Sequence, residues 1–283
     1  MSYYRRNYQS GRNMSALKVR LLIAAAIILF SVVSYWANTD INPINGKPQR
    51  VGGLSTQDEI VLGLQSVPEM ANQFGGFSRD AVATQQVVDM GERLVNALAS
   101  RLNELNRKQP YEFNFYLLDD DRTVNAFALP GGQIFITEAL YHELNHQGQL
   151  AAVLGHEIGH VLERHSAQQM AKQKMFVQWN NAAWVASGDI AGERISQIVT
   201  GLIGMKYGRS HELESDRWGI ELMVMINYHP DHMLEVMDIL AKTSGGGAQP
   251  EFMSTHPSPP NRKEHINLVI GEVFPYGIPD NLQ

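Results

Sequence analysis

The run His156-Glu157-Ile158-Gly159-His160, set within the apolar stretch from Leu150 to Val161, constrains this chain more than any other feature. On a helix, residues four apart sit about 40° from one another, so both imidazoles can face one metal ion, and Glu157 is turned only about 100° from His156. A pair of neutral imidazoles suits Zn²⁺, which in catalytic sites keeps a position open for water and brings the pKa of that water toward about 7. Glu157 is then placed to take the proton. Leu150, Ala151, Val153, Leu154, Ile158 and Val161 give the helix a surface to bury, and Gly155 and Gly159 let a neighbour approach closely. His165, the nearest candidate for a third ligand, is about 140° around the helix from His160 and points away.

A third ligand is required, and with no cysteine in the 283 residues it must be His, Asp or Glu. The pattern HExxHxxGxxH is excluded, because this chain has Glu163 and Ser166 where that pattern needs Gly and His. The segment Arg209-Ser210-His211-Glu212-Leu213-Glu214-Ser215-Asp216-Arg217 is the better source. Glu212 and Asp216 are four apart on an expected helix. One of them can bind the metal while the other holds the second nitrogen of an imidazole ligand. Spacing alone leaves His211 and Glu214 as rivals.

The N-terminus speaks to location. Arg5, Arg6, Arg12, Lys18 and Arg20 precede the apolar run from Leu21 to Val33, and no acidic residue occurs before Asp40. Positive charge stays on the cytoplasmic side, which predicts a catalytic domain on the periplasmic or extracytoplasmic face of the cell (inner) membrane. Continued through Tyr35, Trp36 and Ala37, the run reaches roughly 17 residues, the lower bound for a spanning helix. Residues 1–20 are therefore read as a basic segment and 21–37 as a single-pass signal anchor, with a cleaved signal peptide and a secreted or periplasmic product as the alternative. Residues 38–54, rich in Asn, Pro and Gly, are expected to be a linker. The net charge of −6 offers no basic stripe, so nucleic acid is not an expected partner.

The remaining domain, 55–283, reads as helices around a small sheet. A short helix capped by Ser55 is expected to run to about Gln65, and a longer one from Arg79 to about Leu105. Tyr111 to Leu118, Thr123 to Leu129 and Gln133 to Thr137 read as strands, the last two separated by Pro130-Gly131-Gly132. Helices follow at Gln147 to Glu163, within Ser166 to Met205, at Ser210 to Ile226 and at Pro230 to Ala241. Ser244 to Pro260 is expected to be loop.

Three blocks, Asn125 to Gly132, Leu150 to His165 and Arg209 to Gly219, with Thr255-His256-Pro257-Ser258 and Arg262 as a fourth, resemble the membrane-associated zinc metallopeptidases. This is peptidase family forty-eight, which includes HtpX, BepA and the CAAX prenyl endopeptidases. The resemblance covers Ser55 to the C-terminus. It implies an α+β, mostly helical zincin (gluzincin) domain with a small sheet beside the active-site helix. It further implies one Zn²⁺ per chain held by His156, His160 and Glu212, with Asp216 supporting the site. Asn125, Ala126, Phe127, Ala128 and Leu129 would form an edge strand that receives an extended polypeptide. The loop of His256 would lie over the site, where His256 either binds zinc in a resting state or donates to the developing oxyanion.

The expected function is zinc-dependent hydrolysis of peptide bonds in misfolded or membrane-associated proteins, with Glu157 as general base. Competing readings are a membrane-tethered chaperone or assembly factor that uses the same cleft without turnover, a hydrolase of non-peptide amides, and a purely structural zinc domain. Only one segment of this chain is hydrophobic enough to span a membrane, which argues against the prenyl-substrate role of multi-spanning relatives.

Overall fold

The computed structural model describes residues 13–175, 206–243, 251–257 and 261–283. Arg5, Arg6 and Arg12, Ser258, and most of the Ser166 to Met205 segment lie outside them. The first helix, α1 (Asn13–Ala37), is longer than the apolar run suggested. Its stretch Leu17–Ala37, with mean hydropathy 2.2, is long and apolar enough to cross a membrane by length and composition.

The segment expected to be a linker is instead a hairpin. β1 (Thr39–Ile41) pairs antiparallel with β2 (Pro48–Arg50). Its polar residues are occupied rather than solvated. Asn42 and Gln49 are buried, donating to the carbonyl of Leu162 at 2.7 Å and of Glu163 at 2.9 Å. A helix leaves its last carbonyls without internal partners, and these two amides cap those of the metal-motif helix. Arg50, at the end of the hairpin, lies 3.8 Å over the Trp36 ring, tying α1 to the same unit.

α2 (Thr56–Gln73) begins at the expected cap, where Ser55 and Asp58 exchange side-chain and backbone hydrogen bonds. It runs on through Pro68 to end well past Gln65. α3 (Ala81–Glu104) buries Val87, Met90, Leu94, Leu98 and Leu102 along one face. The three-stranded sheet has the order β3-β5-β4. β3 (Asn114–Leu118) runs parallel to β5 (Gln133–Thr137), and β4 (Ala126–Leu129) pairs antiparallel with β5. Gly131 and Gly132 make the β4–β5 turn with φ of 80° and 108°, a region that disfavours side chains. β4 is thereby left as an edge.

After a short α4 (Glu138–Glu143), α5 (Gln147–Leu162) passes through the centre of the domain, buried from Gly148 to Leu162. It packs on α6 (Arg209–Met225) at glycine contacts. A Cβ on Gly155 would stand 3.0 Å from the Gly219 Cα, and one on Gly159 2.9 Å from the Ser215 Cα. α7 (His232–Thr243) packs behind both. Within the expected loop, Glu251–Thr255 forms a short helix, α8, because Ser254 and Thr255 hydroxyls and the His256 amide bond back one turn. α9 (Arg262–Val273) completes the described fold, an α+β arrangement with the small sheet against the central helix.

Candidate metal centre

Four elements converge on one buried point. α5 supplies His156, Glu157 and His160; α6 supplies Glu212 and Asp216; His256 follows α8; Arg262 opens α9. His156, His160, Glu212 and His256 each offer a donor atom, all within 4.8 Å of one another. The rivals left open by spacing separate cleanly: His211 and Glu214 are turned away from this point toward His165.

The separations carry chemical information. His156 Nε2 is 3.0 Å from His160 Nε2, 3.5 Å from Glu212 Oε2 and 3.4 Å from His256 Nδ1. His160 Nε2 and His256 Nδ1 lie 3.6 Å and 3.3 Å from Glu212 Oε1. Donors bound at about 2.1 Å to one tetrahedral ion stand about 3.4 Å apart, and these five separations, which draw on both Glu212 oxygens, lie near that spacing. Both carboxylate oxygens of Glu157 and of Glu212, with Nε2 of His256, are buried without hydrogen-bond partners among the described residues. Buried carboxylates left this way cost several kcal/mol, and a cation at the centre of the donors would supply the partner that Glu212 lacks. The residues therefore fit a metal ion.

Each imidazole is held from behind. His156 Nδ1 donates to Asp216 Oδ1 at 2.9 Å, and Arg262 clamps that carboxylate through Nε at 2.8 Å and Nη2 at 2.7 Å. Burial works against a charge on His156, yet hydrogen bonds to Asp216 and Glu212 raise it to about 9. Asp216 at Nδ1 and Glu212 on the Nε2 side thus stabilise positive charge on this ring, whether from a proton or from a metal at Nε2. Burial also opposes ionisation of Glu212, but His256 and His156 hold it well below the ordinary carboxylate range. Glu157 goes the other way: burial raises its pKa, which improves a carboxylate as a proton acceptor.

The expectation that His165 points away is corrected. α5 ends at Leu162, and Arg164, with φ of 56°, reverses the backbone so that His165 Nδ1 returns to 3.0 Å from His160 Nδ1. The Arg164 guanidinium is fixed by Glu59 Oε1 at 2.7 Å, Asp40 Oδ2 at 2.7 Å and the Leu54 carbonyl at 2.7 Å. Tyr207, which no motif singled out, stacks on the His160 ring at 4.0 Å.

Of the expected edge, Ala126 to Leu129 form β4 beside α5, and Asn125 precedes it with its N–H bonded to Thr137 Oγ1 at 3.1 Å. The amide of Phe252 in α8 donates to the Val124 carbonyl at 3.2 Å, so the His256 segment docks at the start of this edge. The Phe252 ring stacks on His256 at 4.5 Å.

Comparison with known proteins agrees with this geometry. The beta-barrel assembly-enhancing protease of Escherichia coli (strain K12) is 33% identical over 264 residues, covering 89% of this chain and 51% of that protein. Metalloprotease YcaL of the same organism is 29% identical over 77% of this chain and 89% of its own length. The mitochondrial metalloendopeptidase OMA1 of Bos taurus is 27% identical over 87% of this chain and 49% of its own. The chain spans about half the length of the assembly-enhancing proteases it matches. The description Peptidase family M48 matches residues 84–269, a range that contains every side chain of the buried cluster, and the chain belongs to that family.

Proposed function

We propose that this chain is a zinc-dependent endopeptidase, tethered to a membrane by α1, that cuts extended segments of misfolded or membrane-associated proteins. The carrying observation is the compact four-residue donor cluster beside a buried Glu157 whose oxygens have no hydrogen-bond partner among the described residues. His156, His160 and Glu212 would hold the ion. When bound, zinc supplies Lewis acidity toward a peptide carbonyl and toward water.

The chain's own residues do the rest. Glu157 accepts a proton from the attacking water and returns it to the leaving amine, and the raised pKa it owes to burial suits both transfers. Asp216, clamped by Arg262, orients His156. The outer edge of β4, which no described strand pairs, can pair with a substrate main chain, which gives affinity with little sequence preference. The α1 helix would place the domain on the extracytoplasmic side by its basic flank.

His256 supplies a fourth donor, 3.3 Å from Glu212 and 3.6 Å from Glu157. We read this conformation as the resting state, closed by the α8 segment. The same closure is what an assembly factor without turnover would show, and the name of the assembly-enhancing relatives keeps that second reading in view.

Cleavage of casein by the full-length chain in detergent separates them. Wild type, chelated protein, Glu157→Gln and His256→Ala are compared. Turnover lost with chelator and reduced about 10²–10⁴-fold in Glu157→Gln, with zinc retained, is the expected result. His256→Ala is expected to cleave faster than wild type. Undiminished cleavage in Glu157→Gln sinks the mechanism, and no cleavage by any zinc-loaded form, His256→Ala included, favours the binding protein.

A further inference from the structure

Both ring nitrogens of His160 are engaged. Nε2 faces the donor cluster, 3.0 Å from His156 Nε2, and Nδ1 lies 3.0 Å from Nδ1 of His165. Two imidazole nitrogens at that distance need one hydrogen between them, and the question is which ring carries it. On its far side, His165 Nε2 is 3.1 Å from Glu214 Oε2, and a carboxylate only accepts. The His165 ring is fully buried and stacked on the His211 ring, surroundings that favour the neutral imidazole with its single N–H. That hydrogen goes to Glu214 from Nε2 and leaves Nδ1 as an acceptor. The Ser215 hydroxyl, 3.4 Å from the same Nδ1, can only donate to it. The hydrogen between the two rings therefore belongs to His160.

We propose that Glu214 and His165 form a positioning relay that fixes His160 as the tautomer protonated on Nδ1, so that Nε2 presents its lone pair to the metal. The inference rests on the metal centre proposed above. Placement of the relay is built into the fold. The left-handed turn at Arg164 delivers His165, the buried Arg164 guanidinium holds that turn, and His211 stacks on the His165 ring at 4.1 Å and 16°. With the opposite tautomer, an N–H would point into the cluster and block a ligand position. The relay is thus the counterpart, for His160, of what Asp216 does for His156, but it ends at Glu214, whose side chain is 41% exposed.

The test uses the full-length chain in detergent with ¹⁵N-labelled histidine. Zinc affinity is measured by chelator competition, and the His160 tautomer is read from its ring ¹⁵N signals in the metal-free protein. Removing such an outer partner costs about 10–100-fold in affinity, the loss expected for His165→Phe, while His165→Gln, whose amide oxygen can accept from Nδ1, is expected to stay within about threefold of wild type. In His165→Phe the His160 signals should show mixed tautomers; in wild type and His165→Gln, protonation on Nδ1 alone. Glu214→Ala, a change at a half-exposed position that leaves the core intact, should weaken zinc and broaden the tautomer distribution in the same direction. A folded His165→Phe with wild-type affinity, or a wild-type His160 protonated on Nε2, overturns the relay and leaves the metal centre standing. If His165→Phe does not fold, unchanged His160 signals in Glu214→Ala overturn it. Wild type that binds no zinc overturns both.

Discussion

His156 and His160 sit one helical turn apart on the same helix and face the same point, yet the fold supports them by opposite means. Behind His156 is a charged pair, Asp216 and Arg262, both fully buried and joined by two hydrogen bonds. Behind His160 is a neutral imidazole, His165, and the chain reaches a carboxylate only where Glu214 meets solvent. The difference teaches that orienting a ligand does not require a charge beside it. A carboxylate adds electrostatic attraction for the cation and needs its own counter-ion when buried, whereas a neutral ring adds direction alone.

The largest expected consequence is at Asp216. Asp216→Ala removes the acceptor of His156 and leaves the Arg262 guanidinium buried with its main partner gone, a loss of about 3–5 kcal/mol in stability for a broken buried pair. Zinc affinity should fall by about 10–100-fold as well, so both thermal unfolding of the chelated protein and chelator competition should move. On the His160 side, affinity alone should respond. If Asp216→Ala unfolds at the wild-type temperature, the contrast between a charged and a neutral support is wrong.

Sequence spacing put Glu212 and Asp216 forward for one support, the family resemblance chose them over His211 and Glu214, and neither revealed the other support. Asp216 stands four residues after Glu212 on one helix, so periodicity put both on a common face, and the HExxH run did the same for His156, Glu157 and His160. The two helices that carry them, Gln147–Leu162 and Arg209–Met225, lie within a residue of their expected bounds. His165 was hidden because its position depends on one backbone reversal at Arg164, a residue with no intrinsic preference for positive φ. The reversal is held by Glu59 and Asp40, more than a hundred residues away in sequence. The β1–β2 hairpin was hidden for a related reason. Asn and Gln in an Asn/Pro/Gly-rich stretch look like solvated linker, and only the tertiary structure shows their amides capping the carbonyls of Leu162 and Glu163.

The smallest effect, and the one that bears most directly on the comparison, is in pH. In chelated protein the two supports should give stability limbs of opposite slope. His156, raised to about 9 against the burial that opposes its charge, binds its proton more tightly when folded. Its contribution is complete below the ordinary histidine value near 6.5 and is lost as pH rises toward 9. His165 and His211, both depressed to about 3 by burial, refuse protons that the unfolded chain accepts. Stability therefore falls as pH drops below about 6.5, by about 2 kcal/mol for each ring at pH 5. Glu59, raised to about 6 by burial, titrates in the same window with the opposite sign, so a single curve does not isolate the histidines. Variants do. His211→Asn should flatten the limb between pH 5 and 6.5 and leave the alkaline limb alone, whereas Asp216→Asn should flatten the alkaline limb, where His156 loses its charged partner. Urea unfolding of chelated wild type and both variants at pH 5, 6.5 and 9 measures this. Two variants that flatten the same limb would mean that the imidazoles titrate as one coupled cluster, and that the two supports are not electrostatically distinct.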